Sequence, residues 1–374
     1  MTFKTDKLVF RPGDVDLKHS PFKKGLDAET FVLGAFNPGF TRLPNGNLLI
    51  MVRVAEALKE PVIGKNIHAI AWSSEGYRLE AYPLNEVIRD DPRKFTLKKY
   101  LPTAVMGLTS LSWLLPVELS ADGLQVLEIH YDKIISPDRS SQEYGIEDAR
   151  ISFIEDRYYM TTCTVSAERH ATTLFTSIDG LNYSFAGIIL DHQNKDMLIF
   201  EGKINNKYYA LTRPLGQLYF DTGMKSEYLA GPSINLASSP DLYHWKPTDF
   251  PFIRSKRGSG FTNRIGGGTP PILTSKGWLA LFHGVEEKEK VGIYRTYWAL
   301  MDREDPHNIL KIEDKEPLLE SRPELTEEIK DQIYLNDVVF TTGIIDAGDH
   351  YIVASGELDL ACRITHIPKS FFGL

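Results

Sequence analysis

The chain has 374 residues, of which 42% are hydrophobic, and a formal net charge of −8. That length suffices for one large all-β domain or two ordinary ones. The apolar fraction suits a sizeable buried core, and the acidic balance argues against nonspecific binding to nucleic acid or to an anionic membrane. Cys163 and Cys362 are the two cysteines. They exclude a disulfide framework, give no Cys-based metal spacing, and are expected to be buried. No run approaches the ~18 apolar residues of a membrane span. The N-terminal segment lacks the apolar core of a signal peptide, which predicts a cytoplasmic protein if Met1 is the natural start.

Strand signals follow one another along the chain. TRLPNGNLLIMVRV holds Asn45-Gly46 between two β-rich runs, a hairpin signal. Residues 59–66 (KEPVIGKN) read as a solvated loop that could shape a +1 subsite. WSSEGYRLE, from Trp72, is a small-residue turn leading into a strand-like run. Residues 84–101, charged and interrupted by Pro92, read as an irregular excursion. LSADGLQVLE from Leu119 repeats the small turn, and ARISFIEDRYYMTTCTV turns at Glu155-Asp156. TSIDGLNYSF from Thr176, the Asn205-Asn206 turn of EGKINNKYYALTRP, and SSPDLYHWKP from Ser238 continue the alternation. PILTSKGWLALFHGV turns at Lys276-Gly277, EEKEK (286–290) reads as another solvated loop, and MDREDPHNIL from Met301 repeats the small turn. The best helix candidate lies within 321–335, with Thr326 as its cap and Ile329, Ile333 and Tyr334 on its apolar face. VVFTTGIIDAGDHYIVASGEL turns at Ala347-Gly348. Ser and Asp side chains in the small turns bond nearby backbone N–H groups. Their recurrence at roughly 50 to 60 residues fits one four-stranded propeller blade. These patterns predict an all-β propeller in a single domain over 1–374, with a pair of β-sandwiches as the alternative.

In a propeller, chemistry collects where the innermost strands converge, so polar residues out of place at strand ends are the candidates. They are Asn37, Arg53, Glu147, Asp148, Arg150, Lys195, Asp196, Arg213, Arg264, His283, Tyr294, Arg295 and Asp359. Singly, each has a bland reading: Arg53 as an edge-strand surface residue, His283 as a satisfied core histidine. Their recurrence at equivalent places is what points to a site.

The ordered series GAFNPG, RVAE, GIEDAR, NKDMLIF, YALTRP, RIGGGTPPILTSKGWLALFHGV, YRTYWALMDREDP and GELD resembles glycoside hydrolase family 130 over residues ~30 to 365. These are β-mannoside phosphorylases and β-mannosidases, and the start GAFN is similar to the branch acting on β-1,2-mannosides. The resemblance implies a five-bladed β-propeller with short terminal extensions. It implies that Asp148 is the proton donor, acting through a hydroxyl of the mannosyl unit in the −1 subsite. It further implies that Asn37, Arg53, Glu147, Arg150, Asp196 and Asp359 hold the sugar, and that Arg213, Arg264, His283 and Tyr294 hold phosphate. Arg150, two residues beyond Asp148 in a strand, would project to the same face and orient the carboxylate. No metal or organic cofactor is implied; phosphate is a co-substrate.

Phosphorolysis and hydrolysis place different demands on the site. An inverting hydrolase needs a second carboxylate to activate water; a phosphorylase needs cations around an anion. Arg213, Arg264 and His283 favour phosphate, giving α-mannose 1-phosphate and a shortened manno-oligosaccharide. Departures from the family pattern (Thr212 before Arg213, Glu201 after Phe200, Lys225 and Glu227 where a further arginine is expected) leave Glu227 and Glu201 as possible bases of a hydrolase. A non-catalytic carbohydrate-binding propeller is the third reading. Linkage, preferred chain length and homo-oligomerisation are not legible in the sequence.

Overall fold

The hairpin turns form where the sequence places them, because their residues tolerate left-handed backbone. Glu155 and Asp156 have φ of 49° and 60°, Asn205 and Asn206 of 49° and 63°, and Gly46 and Gly348 of 89° and 88°. Paired positive φ values match the twist of the flanking strands. The small turns are tied as expected. Asp179 Oδ1 accepts from the N–H groups of Leu181 and Asn182, and Asp241 Oδ1 from those of Tyr243 and His244.

The computed structural model describes residues 3, 5–215, 226–229, 231, 233–248, 251–262, 264–289 and 291–373. Five antiparallel sheets of four or five strands follow in chain order. The first begins with Thr30–Arg42 and Leu48–Leu58, the second with Ile146–Ile154, and the third with Asn194–Ile204. The fourth begins with Arg264–Gly267, and the fifth with Val339–Asp346. The N-terminal strand Thr5–Phe10 pairs with Ala361–Pro368 and so completes the fifth sheet.

A buried apolar cluster fills each junction between successive sheets. Leu49, Met51 and Leu114 meet Ile146, Ile151 and Met160 between the first and second. Ile154 and Leu174 meet Met197, Ile199 and Ala210 between the second and third. Phe200, Leu211 and Leu236 meet Ile265, Phe282 and Ala299 between the third and fourth. Leu281 and Trp298 meet Val339, Tyr351 and Val353 between the fourth and fifth. A fifth cluster joins Phe10, Ile352 and Ile364 of the last sheet to Ile50, Val52 and Trp113 of the first. Both cysteines are buried.

Residues 84–101 are not irregular. Val87–Asp91 and Lys94–Leu97 form a three-stranded sheet with Met106–Leu108, and Pro92-Arg93 turns between the first two. Pro92 sits in the turn, where its missing N–H costs no ladder bond. A second small sheet spans Val62–Ile63, Asn66–Ser73 and Gly76–Pro83. Ile67, Ala69, Val87, Phe95 and Leu97 pack the two together. The helix within 321–335 is shorter than its pattern suggests: α-helical at Pro323–Thr326, then 3-10 over Glu327–Gln332. Thr326 does not cap its start; its Oγ1 donates back to the Pro323 carbonyl. Ile329, Ile333 and Tyr334 do face the core, against Leu8, Leu358 and Leu360. No described helix is long and apolar enough to cross a membrane.

Candidate active site

Three opening strands carry the same irregularity. Between Phe36 and Gly39, Glu147 and Arg150, and Lys195 and Leu198, the strand advances three residues while its partner advances two. Each of these β-bulges holds an Asx residue at positive φ: Asn37 at 46°, Asp148 at 49° and Asp196 at 52°. Asn and Asp are the non-glycine residues that adopt this conformation most readily, and a bulge re-aims the side chains beside it. Asp359, at φ 50°, occupies the turn that follows His350–Glu357 in the fifth sheet. Asn37 also needs Gly356 opposite, because a Cβ there would collide with the asparagine side chain.

These residues gather around a cavity of about 380 Å³. Asp148 sits in its wall. Its Oδ1 accepts from Arg53 Nη1 at 2.9 Å and from Asn37 Nδ2 at 3.0 Å. Arg53 Nη2 reaches Glu147 Oε1 at 2.8 Å, and Lys195 Nζ reaches the other oxygen of Glu147 at 3.0 Å. Burial opposes the ionisation of both acids. For Glu147, Arg53 and Lys195 outweigh burial and hold the carboxyl well below the usual range. For Asp148, Arg53 leads the opposition to burial, Glu147 pushes back, and the net shift is also downward. Asp359 differs: burial dominates over Arg93 and Arg53, and its carboxyl is raised.

A second group lies around Arg213 and Arg264. Arg213 Nε is 3.1 Å from Asp196 Oδ2, and its Nη1 donates to His283 Nε2 at 3.2 Å. His283 has no exposed surface. Burial, followed by Arg213, Arg150 and Arg264, drives its pKa well below the usual value, so the imidazole is neutral and accepts. Arg264 lies over the Tyr294 ring, 5.5 Å from its centroid. Its Nη2 donates to the Val291 carbonyl, while its buried Nε has no hydrogen-bond partner.

The cavity is lined by Asn37, Arg53, Glu147, Asp148, Lys195, Arg213, Arg264, Tyr294 and Asp359 from the sequence-derived set. Arg150, Asp196 and His283 lie beneath it. Arg150 does not orient the Asp148 carboxylate. The bulge breaks strand alternation, and the guanidinium turns inward to the carbonyls of Gly268 and Asp148 at 2.7 and 2.8 Å. Arg53 and Asn37 take that orienting role. His283 and Asp196 brace Arg213 from below. Arg295 points elsewhere, pairing with Glu286 and Glu320.

Glu227 is exposed and outside the cavity lining; Lys225 lies outside the described residues. Glu201 lies five residues along its strand from Asp196, roughly 16 Å at about 3.3 Å per residue. It lines a different cavity with Phe40, Phe153 and Ile344, where burial raises its carboxyl to about 7. Segment 59–66 is largely a short exposed hairpin, and Glu286 of the 286–290 stretch is a strand residue paired with Ile293.

Sequence reasoning missed Arg93, Lys94, His170 and Tyr334 in the wall. Arg93 binds Asp91 with Nε and Nη2, each at 3.0 Å, and its Nη1 is 3.7 Å from Asp359. Tyr334 Oη donates to the Asp359 carbonyl at 2.7 Å. Arg93 and Lys94 come from the inserted sheet and Tyr334 from the segment after the helix. Their arrival depends on how those pieces fold back, which no local pattern encodes.

Among the described residues, six cationic side chains line the cavity (Arg53, Arg93, Lys94, Lys195, Arg213 and Arg264) against three carboxylates, Glu147, Asp148 and Asp359. The described lining side chains therefore carry a formal excess of three positive charges. The lining carboxylates collect around Arg53 and Arg93. Among the described residues, none is within ion-pair distance of Arg264 or Lys94. A cluster of acids beside cations without carboxylate partners suits group transfer to an anion.

Residues 109–371 match the family model of glycoside hydrolase family 130, described as β-1,4-mannooligosaccharide phosphorylase. A β-1,2-mannobiose phosphorylase of Listeria innocua is 35% identical over 91% of this chain and 89% of its own. A 1,2-β-oligomannan phosphorylase of Thermoanaerobacter is 31% identical over 64% of this chain and 74% of its own. The solved structure of β-1,2-mannobiose phosphorylase from Listeria innocua, in complex with β-1,2-mannobiose, superposes with a TM-score of 0.81 at 31% identity, covering 97% of this chain and 95% of that one. The chain belongs to glycoside hydrolase family 130.

Proposed function

We propose that this protein is an inverting β-mannoside phosphorylase that transfers the terminal mannosyl unit of β-1,2-linked manno-oligosaccharides to inorganic phosphate. The observation that carries the reading is the positive charge of Arg264, which has no carboxylate partner among the described residues and lines the same cavity as the acid cluster at Arg53. A hydrolase would need a carboxylate to activate water. The described residues around Arg264 and Tyr294 supply none within ion-pair distance, whereas Arg is well suited to phosphate. The relatives named for β-1,2-mannosides support the linkage over the β-1,4 description of the family model.

In the proposed reaction, phosphate held by Arg213, Arg264 and Tyr294 attacks the anomeric carbon from the face opposite the leaving group. The C1–O bond to the departing sugar breaks as the C1–O bond to phosphate forms. Asp148 supplies the proton for the leaving oxygen by way of a mannosyl hydroxyl, and α-mannose 1-phosphate results. Asn37, Arg53, Glu147 and Asp359 bind the mannosyl hydroxyls. Phosphate is already an anionic nucleophile, so the chemistry requires neither a metal nor an organic cofactor. The cluster joining the fifth sheet to the first supports a single-domain five-bladed propeller. A cytoplasmic address fits a product that is charged and retained in the cell.

The test is release of free mannose and of mannose 1-phosphate from β-1,2-mannobiose with and without phosphate. Turnover is expected to require phosphate and to saturate with it. Equal turnover in phosphate-free buffer would replace this reading with hydrolysis.

A further inference from the structure

The cations of the cavity are not equally available. Arg53 is committed to Glu147 and Asp148, Lys195 to Glu147, Arg213 to Asp196, and Arg93 to Asp91 and, at longer range, Asp359. Two remain without a carboxylate partner among the described residues. One is Arg264, from the opening strand of the fourth sheet. The other is Lys94, from the strand Lys94–Leu97 of the inserted sheet.

We propose that Lys94 is a phosphate-contacting residue, delivered by the insertion, which together with Arg264 matches the charge of the incoming phosphate dianion. The inference rests on the phosphorolysis reading and extends its anion site from the core sheets to the insertion. Two unpaired cations sharing one partly buried cavity repel each other and lose hydration. An anion with up to two negative charges relieves both costs at once. The surroundings of Lys94 agree: burial is the largest influence on its ammonium, Arg93, Arg264 and Lys195 add to it, and Asp91 opposes them, leaving its pKa lowered. Its neighbour Arg93, gripped by Asp91 through two side-chain bonds and one backbone bond, fixes the turn from which Lys94 projects. A charge-assisted bond to phosphate is roughly twice as strong as a neutral one. A sugar hydroxyl would leave the charge unmatched.

The experiment compares wild type with Lys94→Gln, Lys94→Met and Lys94→Arg, measuring KM for inorganic phosphate and for β-1,2-mannobiose and the melting temperature without phosphate. In Lys94→Gln and Lys94→Met, the phosphate KM is expected to rise on the order of tenfold or more. The mannobiose KM should stay within about twofold, and Lys94→Arg should recover most of the loss. An unchanged phosphate KM in both neutral variants, with wild-type phosphorolysis intact, would overturn the role of Lys94 alone. So would an equal rise in both KM values accompanied by a lower melting temperature, which marks a structural residue. Absence of phosphate consumption by the wild type would instead remove the phosphorolysis reading on which the inference rests.

Discussion

Asp148 faces opposing demands. In the proposed reaction it donates the proton, yet the Arg53 and Asn37 contacts that fix its carboxylate favour the ionised form. A general acid works best with a pKa near the operating pH. Glu147 is the neighbour whose negative charge pushes the Asp148 pKa up, and phosphate entering the cavity adds charge of the same sign. Glu147→Gln therefore lowers the Asp148 pKa and frees Arg53 to bind it more closely. The acid acts while protonated, so the fall in kcat with rising pH should begin at a lower pH in Glu147→Gln than in wild type. A pH profile of kcat at saturating phosphate reads this directly; an unmoved or upward-moved limb would contradict it. Asp148, Arg53 and Arg264 were legible in the sequence because charged residues in otherwise apolar strands are conspicuous. The direction of Arg150 was not, because one extra bulge residue reverses what strand alternation predicts.

At the level of elements, the repeated bulge is the device that makes a site out of strands. It turns Asn37, Asp148 and Asp196 into left-handed backbone, so the chain bends just where the opening strands reach the cavity. The opening strand of the fourth sheet pairs in unbroken register and runs into glycines instead. A Cβ at Gly266 would lie 2.5 Å from His283 Cε1 and 2.6 Å from Asp196 Oδ2, the two groups that brace Arg213. Gly266→Ala should thus raise the phosphate KM roughly tenfold by displacing Arg213, and destabilise the fold by about 1–3 kcal/mol through overpacking. Kinetics and chemical denaturation measure the two effects; a variant with wild-type phosphate KM would show that Asp196 and His283 do not position Arg213. Hairpins and Ser/Asp turns were legible because their geometry is set by two to four adjacent residues. The inserted sheet was not: short charged strands around Pro92 resemble a loop until Phe95 and Leu97 find Ile67 and Val87.

Across the whole molecule, residues more than three hundred positions apart share one cavity, from Leu33 to Asp359. Apolar clusters at every junction between successive sheets hold them there, and so does the N-terminal strand. Asp6 on that strand is bound by Arg363 Nε at 2.7 Å, and Arg363 also reaches Glu357 at 2.8 Å in the fifth sheet. A net charge of −8 overall coexists with a cavity wall of positive excess. Local placement of charge, which total composition hides, therefore governs what the site attracts. The most direct measurement of the central claim is a proton and phosphorus NMR time course on β-1,2-mannobiose with phosphate. α-Mannose 1-phosphate and mannose should appear in equal amounts from the first turnover, with phosphate consumed in step. Appearance of two mannose molecules per mannobiose with phosphate unconsumed, or of the β-anomer of the phosphate ester, would contradict a single inverting displacement by phosphate in this cavity.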